Sequence, residues 1–322
     1  MRRTRPVSGE PATRSIVAPV LWFALFTGLS PVLAQPALSG ARPAKPEPAM
    51  PMDDAARMLG GDPVLKNMSQ DQRMGVLEFV AGNLVFVLQH EMGHAQVSER
   101  ALPVLGARDE DAADVFATLS MLNMRSVMSE RVLEQAAMGW FLSAKRDESA
   151  GNMLTFYEEH ALDKQRAFQI VCLMVGADPE KFKRLADESK LPKSRRESCG
   201  GDYRNASYAW EELLKPHRRS PDQPKVKIDV IYGEATGKLG VYAQSARSMR
   251  LLENLAGAAA EDFTWKAPLT LEMRSCGQSG ARWSPFMRKI TLCYEMAADL
   301  AGVFRKYGKG MKPAAPNRAQ RS

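Results

Sequence analysis

The stretch after Ser69 limits the fold more than any other part of the chain. Leu77, Val80, Ala81, Leu84 and Leu88 recur at the spacing of one helical face, which predicts an α-helix. Phe79, Val85, Phe86 and Val87 make its other sides apolar too, and a helix that is apolar all round has to be enclosed by other elements. The chain therefore reads as a central buried helix with the rest of the sequence wrapped around it. His90 and His94 stand on this helix four residues apart, with Glu91 beside the first. Polar groups are thus carried into a buried setting, where each needs a partner.

Pro103 and Gly106 mark a break, and Asp109, Glu110 and Asp111 open the next helix, where acidic residues suit the N-terminal dipole. Further helices are expected at about residues 130–145, 158–175, 179–188 and 194–214, with Gly176 as a stop and Asp178-Pro179 as a start. After Pro221 the period changes. Val226, Ile228 and Val230 alternate, residues 269–273 alternate again, and residues 289–294 form a third strand candidate; helical segments fall at about 247–260 and 295–306. The expected fold class is α+β, mainly helical. Residues 69–220 form its helical region and residues 221–306 a small βαββα unit. Residues 307–322, basic and without an acid, read as a disordered tail. Residues 35–68 read as a Pro/Ala-rich linker, because Pro, Ala and Gly crowd positions 35–52 without any apolar period.

Residues 1–34 read as a secretory signal: a positively charged stretch ending at Arg14, an apolar run from Ile16 to Leu33, and Val32-Leu33-Ala34 before a cut at Gln35. The alternative is a retained anchor, since the run is nearly long enough to span a bilayer. Pro19, Gly28, Ser30 and Pro31 inside it favour cleavage, with no stable membrane insertion afterwards. The expected location is periplasmic or extracellular. Arg2, Arg3, Arg5 and Arg14 against Glu10 account for three of the seven formal positive charges, and what remains is too weak a bias to suggest nucleic acid. A hydrophobic fraction of 45% is ordinary for a globular protein and argues against general disorder. Four cysteines in an exported chain suggest two disulfides. Cys172 and Cys199 fall in the helical half, Cys276 and Cys293 in the strand-rich half, so local pairing is favoured over the two crossed connectivities.

Histidines at i and i+4 of a helix project from one face, as two ligands of a single zinc ion require. Glu91 lies where it can take a proton from a water activated by that metal. A catalytic zinc takes three protein ligands and keeps one position open. Residues 95–100 after His94 hold no third histidine, which points to a carboxylate of the next helix. Glu110 and Asp114 lie one turn apart on one face; either can bind the metal while the other hydrogen-bonds the outer nitrogen of a ligand histidine. His160, Asp163 and Arg166 form a polar set at successive helical turns, suited to stabilising an oxyanion or to pinning that helix to its neighbours.

The pattern His90-Glu91-x-x-His94 followed by Glu110-x-x-x-Asp114 resembles the gluzincin arrangement. The resemblance implies zinc ligation by His90, His94 and Glu110, with Asp114 orienting a ligand histidine. More closely, the blocks from His90 to Ala95, Leu102 to Gly106 and Glu110 to Asp114 resemble a bacterial metallopeptidase family classed as a domain of unknown function. The likeness continues through His160-Ala161-Leu162-Asp163-Lys164-Gln165-Arg166 and Cys172, spans about residues 70–217, and implies a zincin-like peptidase core. A typical zincin places its sheet before the zinc helix and binds substrate along a sheet edge. Here the strands come after residue 225, so the C-terminal unit either supplies the sheet of that core or stands as a separate module.

The leading expectation is zinc-dependent hydrolysis of a peptide or protein substrate with Glu91 as general base. The alternatives are a non-catalytic, zinc-stabilised envelope protein that binds a partner, and a hydrolase of a non-peptide amide. Glu91 favours catalysis, because a structural site needs no base and closes its fourth position with another ligand. Nothing in the pattern dictates an oligomeric state.

Overall fold

Ser69 starts the central helix with a reciprocal cap. In the computed structural model, which describes residues 52–103, 108–154 and 159–308, Ser69 Oγ accepts the Gln72 N–H and Gln72 Oε1 accepts the Ser69 N–H, satisfying two donors that a helix end otherwise orphans. A short helix α1 (Met52–Met58) precedes the 31-residue α2 (Gln70–Arg100) that this cap begins. Packed on α2 are α3 (Asp109–Met124) and α4 (Val127–Ala150), and across these two lies α5 (Asp163–Ala177). The short α6 (Lys183–Glu188) leads to α7 (Lys193–Leu214), which covers α5 and is tied to it by the Cys172–Cys199 disulfide.

The rest of the chain covers the opposite side of α2. Its order is β1 (Ile228–Tyr232), α8 (Gly240–Ser248), α9 (Leu251–Asp262), β2 (Leu269–Arg274), β3 (Ala281–Ser284), β4 (Lys289–Cys293) and α10 (Tyr294–Tyr307). The sheet order is β1-β2-β4-β3, with β1, β2 and β4 parallel and β3 antiparallel on the edge. A second disulfide, Cys276–Cys293, pins the turn after β2 to the end of β4. Both bridges are local, as the spacing favoured, and among the described residues no cysteine is free.

The all-round apolarity of α2 explains this enclosure. Phe79, Leu84 and Leu88 join one core with Leu255 of α9, Leu271 of β2, Ile290 of β4 and Ala301 of α10, while Phe86 faces a second core built with Leu133, Ile170 and Cys199. Burying each large side chain of this kind contributes roughly 1.5–3 kcal/mol. The sheet therefore completes the core around α2, which favours, of the two alternatives left open, a C-terminal unit that supplies the sheet.

Three expectations need correction. Residues 52–68 are not a linker: Ala55, Ala56, Leu59 and Leu65 are buried in the main core, and Ser245 Oγ donates to the Ala55 carbonyl. Alanine, which raised the linker signal, is what allows α1 to pack closely on α8. The C-terminal unit holds four strands and three helices rather than βαββα. Arg250, in a left-handed conformation, divides the expected helix of 247–260, and β3 is too short and polar to show an alternating pattern. The helix expected from about residue 158 starts only at Asp163. Residues 1–51, 104–107, 155–158 and 309–322 lie outside the described residues, and with them the signal segment, the first half of the expected linker and nearly all of the tail. Among the described residues no helix is long and apolar enough to cross a membrane.

Candidate metal centre

His90 and His94 lie on one face near the C-terminal end of α2, and helix geometry sets their Nε2 atoms 3.1 Å apart. Between them sits Gly93. A Cβ at this position would lie 2.9 Å from Ala113 Cα, so the missing side chain lets the backbone of α3 rest directly on α2. Ala113 lies between Glu110 and Asp114 in the sequence, and the close contact brings both carboxylates to the histidines. Gly93→Ala is accordingly expected to push α3 outward, cost about 1–3 kcal/mol of stability through overpacking and weaken metal binding at least about tenfold. Thermal melts and a zinc titration check this; unchanged affinity would mean that the close helix contact is not what forms the site.

Glu110 Oε2 is the point on which the donors converge. It lies 3.0 Å from His90 Nε2, 3.4 Å from His94 Nε2 and 2.8 Å from His160 Nε2. The atom is buried, yet none of these approaches has hydrogen-bond alignment. Three imidazole nitrogens gathered around one carboxylate oxygen form a metal-type donor set. Tetrahedral zinc with arms of about 2.0–2.1 Å has ligand-to-ligand edges of roughly 3.3 Å, close to the spacings here. Zinc therefore fits these residues.

Behind the donors, His90 Nδ1 lies 2.8 Å from Asp114 Oδ1. Asp114 is buried and clamped by two bonds from Arg166, Nε to Oδ2 at 2.7 Å and Nη2 to Oδ1 at 2.8 Å. The Arg166 guanidinium in turn lies 3.7 Å from the centre of the Trp140 ring. One continuous chain of contacts thus runs from α4 through α5 and α3 to the first histidine of α2.

The electrostatics follow from this packing. Burial alone would raise the Glu110 carboxyl, but the imidazoles of His160, His90 and His94 together hold it far below the usual carboxylate range. Burial likewise opposes ionisation of Asp114, and His90 and Arg166 outweigh it, so Asp114 is held as an anion. For His90 burial disfavours the charged ring, yet Asp114 and Glu110 raise it to about 9. Glu91 differs from the other two carboxylates: burial pushes it up, opposed only in part by His90, His94 and the main-chain N–H of Trp283.

Trp283 belongs to β3, so the edge strand of the sheet lies against Glu91. Two contacts from the end of α2 hold it there. Trp283 Nε1 donates to Ser98 Oγ at 2.8 Å, and Arg288, in the turn between β3 and β4, pairs with Glu99.

His90, His94, Glu110 and His160 are thus brought together, with Asp114 and Arg166 behind them. His160 is not on a helix with Asp163 and Arg166. The Leu162 carbonyl accepts the N–H groups of Gln165 and Arg166, and Gln165 Oε1 accepts the Leu162 N–H, which makes Leu162 the cap and starts α5 one residue later. Asp163 opens α5 and makes no side-chain hydrogen bond or ion pair to the cluster among the described residues. Cys172 and Cys199 join α5 to α7, outside the donor cluster. Sequence reasoning does not reach Trp140 or Trp283, since neither sits in a motif; Gly93 was visible only as an unassigned letter of one.

A family model described as "Putative metallopeptidase" matches residues 62–214 and 235–321, a span that takes in every residue of this cluster. The chain belongs to this family. The match covers the helices around α2 as well as most of the C-terminal half, in keeping with the single core that joins them. No curated protein and no solved structure matches the chain.

Proposed function

We propose that this member of the metallopeptidase family is a zinc-dependent peptidase in which His90, His94 and Glu110 hold the metal, Glu91 is the general base, and Asp114, braced by Arg166, orients His90. The observation that carries the reading is the convergence of helix-borne donors on Glu110 Oε2, beside a buried carboxylate, Glu91, that is not part of the donor set. When bound, zinc supplies Lewis acidity, making water a nucleophile at neutral pH and polarising the scissile carbonyl.

The chain's own residues do the rest. Asp114 accepts from His90 Nδ1 and so directs the Nε2 lone pair to the metal. Glu91, its pKa raised by burial, is a stronger base than an exposed carboxylate; it takes the proton of the attacking water and passes it to the departing amine. The edge strand β3 is placed beside Glu91, where an extended peptide can add to the sheet with its carbonyl near the base. This pairing of a zinc helix with a sheet edge supports a zincin-like core. Export to the periplasm or exterior is proposed from the signal-like residues 1–34 and is in keeping with two disulfides.

The test is metal analysis of the mature protein together with cleavage of an unbiased peptide library. About one zinc per chain and zinc-dependent cleavage are expected. Cleavage that survives removal of the metal would overturn the mechanism, and zinc without cleavage would favour the non-catalytic reading.

A further inference from the structure

His160 reaches the same carboxylate oxygen as the two histidines of α2. Its Nε2 is nearer to Glu110 Oε2, at 2.8 Å, than that of His90 at 3.0 Å or His94 at 3.4 Å. The ligand atoms of His90, Glu110 and His160 lie mutually within 4.8 Å, and the His90 and His160 rings stand nearly parallel, 19° apart, with centroids 6.4 Å from each other. The three distances to Glu110 Oε2 are close to the edges of a coordination polyhedron, roughly 3.3 Å for tetrahedral zinc. They do not match an oxyanion-stabilising role. A group of that kind bonds an atom that itself occupies a metal position, so it has to stand off from the other ligands by about one hydrogen bond more.

The four donors differ in how firmly they are held. His90, His94 and Glu110 are carried on helices, and their side chains are 6–20% exposed. The His160 side chain is 48% exposed and precedes the cap of α5; its carbonyl accepts from Arg108 Nη1 at 3.4 Å, and Arg108 also pairs with Asp111. His160 lies outside α5, so displacing it breaks no hydrogen bond of that helix.

We infer that His160 is a fourth, displaceable protein ligand, which closes the metal position in the resting protein and leaves it when a carbonyl or another metal-binding group enters. The inference rests on the assignment of His90, His94 and Glu110 as ligands. It adds that the resting centre has three nitrogen donors and no open position. Substrate binding then has to supply enough affinity to expel an imidazole, which selects against small or weakly held substrates.

The experiment uses the full mature chain and its His160→Ala variant, each loaded with zinc or with cobalt(II). Zinc affinity is measured by chelator competition, and the coordination of cobalt by its visible spectrum. Acetohydroxamic acid, a small metal-binding probe, is then titrated into the cobalt forms. His160→Ala is expected to keep its fold by thermal melt, lose at least about tenfold in metal affinity, show a changed cobalt spectrum and bind the hydroxamate at least about tenfold more tightly than the parent. The same zinc affinity, spectrum and hydroxamate affinity in both proteins would overturn the inference while leaving the three-ligand site in place. Failure of the parent to bind zinc would overturn the inference and the proposed function together.

Discussion

Glu91→Gln is expected to keep zinc and fold while lowering peptide cleavage by about 10²–10⁴-fold, the range that general acid–base catalysis contributes. The amide has nearly the same volume, so the packing between α2 and β3 is retained, and its oxygen can still accept the main-chain N–H of Trp283. What it cannot do is take a proton. The measurement is kcat/KM on a library-derived peptide, beside metal content and a thermal melt. Loss of zinc would show that Glu91 is itself a ligand, and retained cleavage would show that the base lies elsewhere.

His90→Ala and His94→Ala are expected to abolish stoichiometric zinc binding, because each removes one of two helix-borne nitrogens that face each other at 3.1 Å. The carboxylates should separate in a graded way. Glu110→Gln replaces an anionic donor by a neutral amide and should weaken zinc binding more than Asp114→Asn. Asp114→Asn should cost about 10–100-fold in affinity, as for an outer partner of a ligand histidine. The same change leaves the Arg166 guanidinium buried without its anion, so a loss of about 3–5 kcal/mol in stability is expected as well. Chelator competition and melts on the four variants decide the matter. Should Asp114→Asn lose zinc outright while Glu110→Gln holds it normally, the ligand and its partner have been assigned in the wrong order.

Residues close in sequence carried their own geometry. The i, i+4 histidines share a face because an α-helix leaves them no alternative. The apolar sides of α2 demanded enclosure, and the i, i+4 pair Glu110 and Asp114 could be matched to the histidines as a unit. The two cysteine pairs, 27 and 17 residues apart, were readable for the same reason: each falls within one half of the chain.

Contacts across the fold were not readable, because the direction a side chain takes there is set by how elements pack and not by local spacing. His160 was placed on a helix by its pattern with Asp163 and Arg166; the Leu162 cap starts α5 too late to include it, and its imidazole turns to Glu110 instead. Arg166 meets Asp114 only because α5 lies across α3, and Trp140 becomes its stacking partner only because α4 runs alongside. The order of the strands and the helix of the histidine motif left open whether the C-terminal half was a separate module. Only the tertiary structure decided it, since α2 has apolar side chains on every face and the helices before residue 220 cover just part of them. The sheet and α10 bury the rest, and in doing so they bring the edge strand β3 to Glu91.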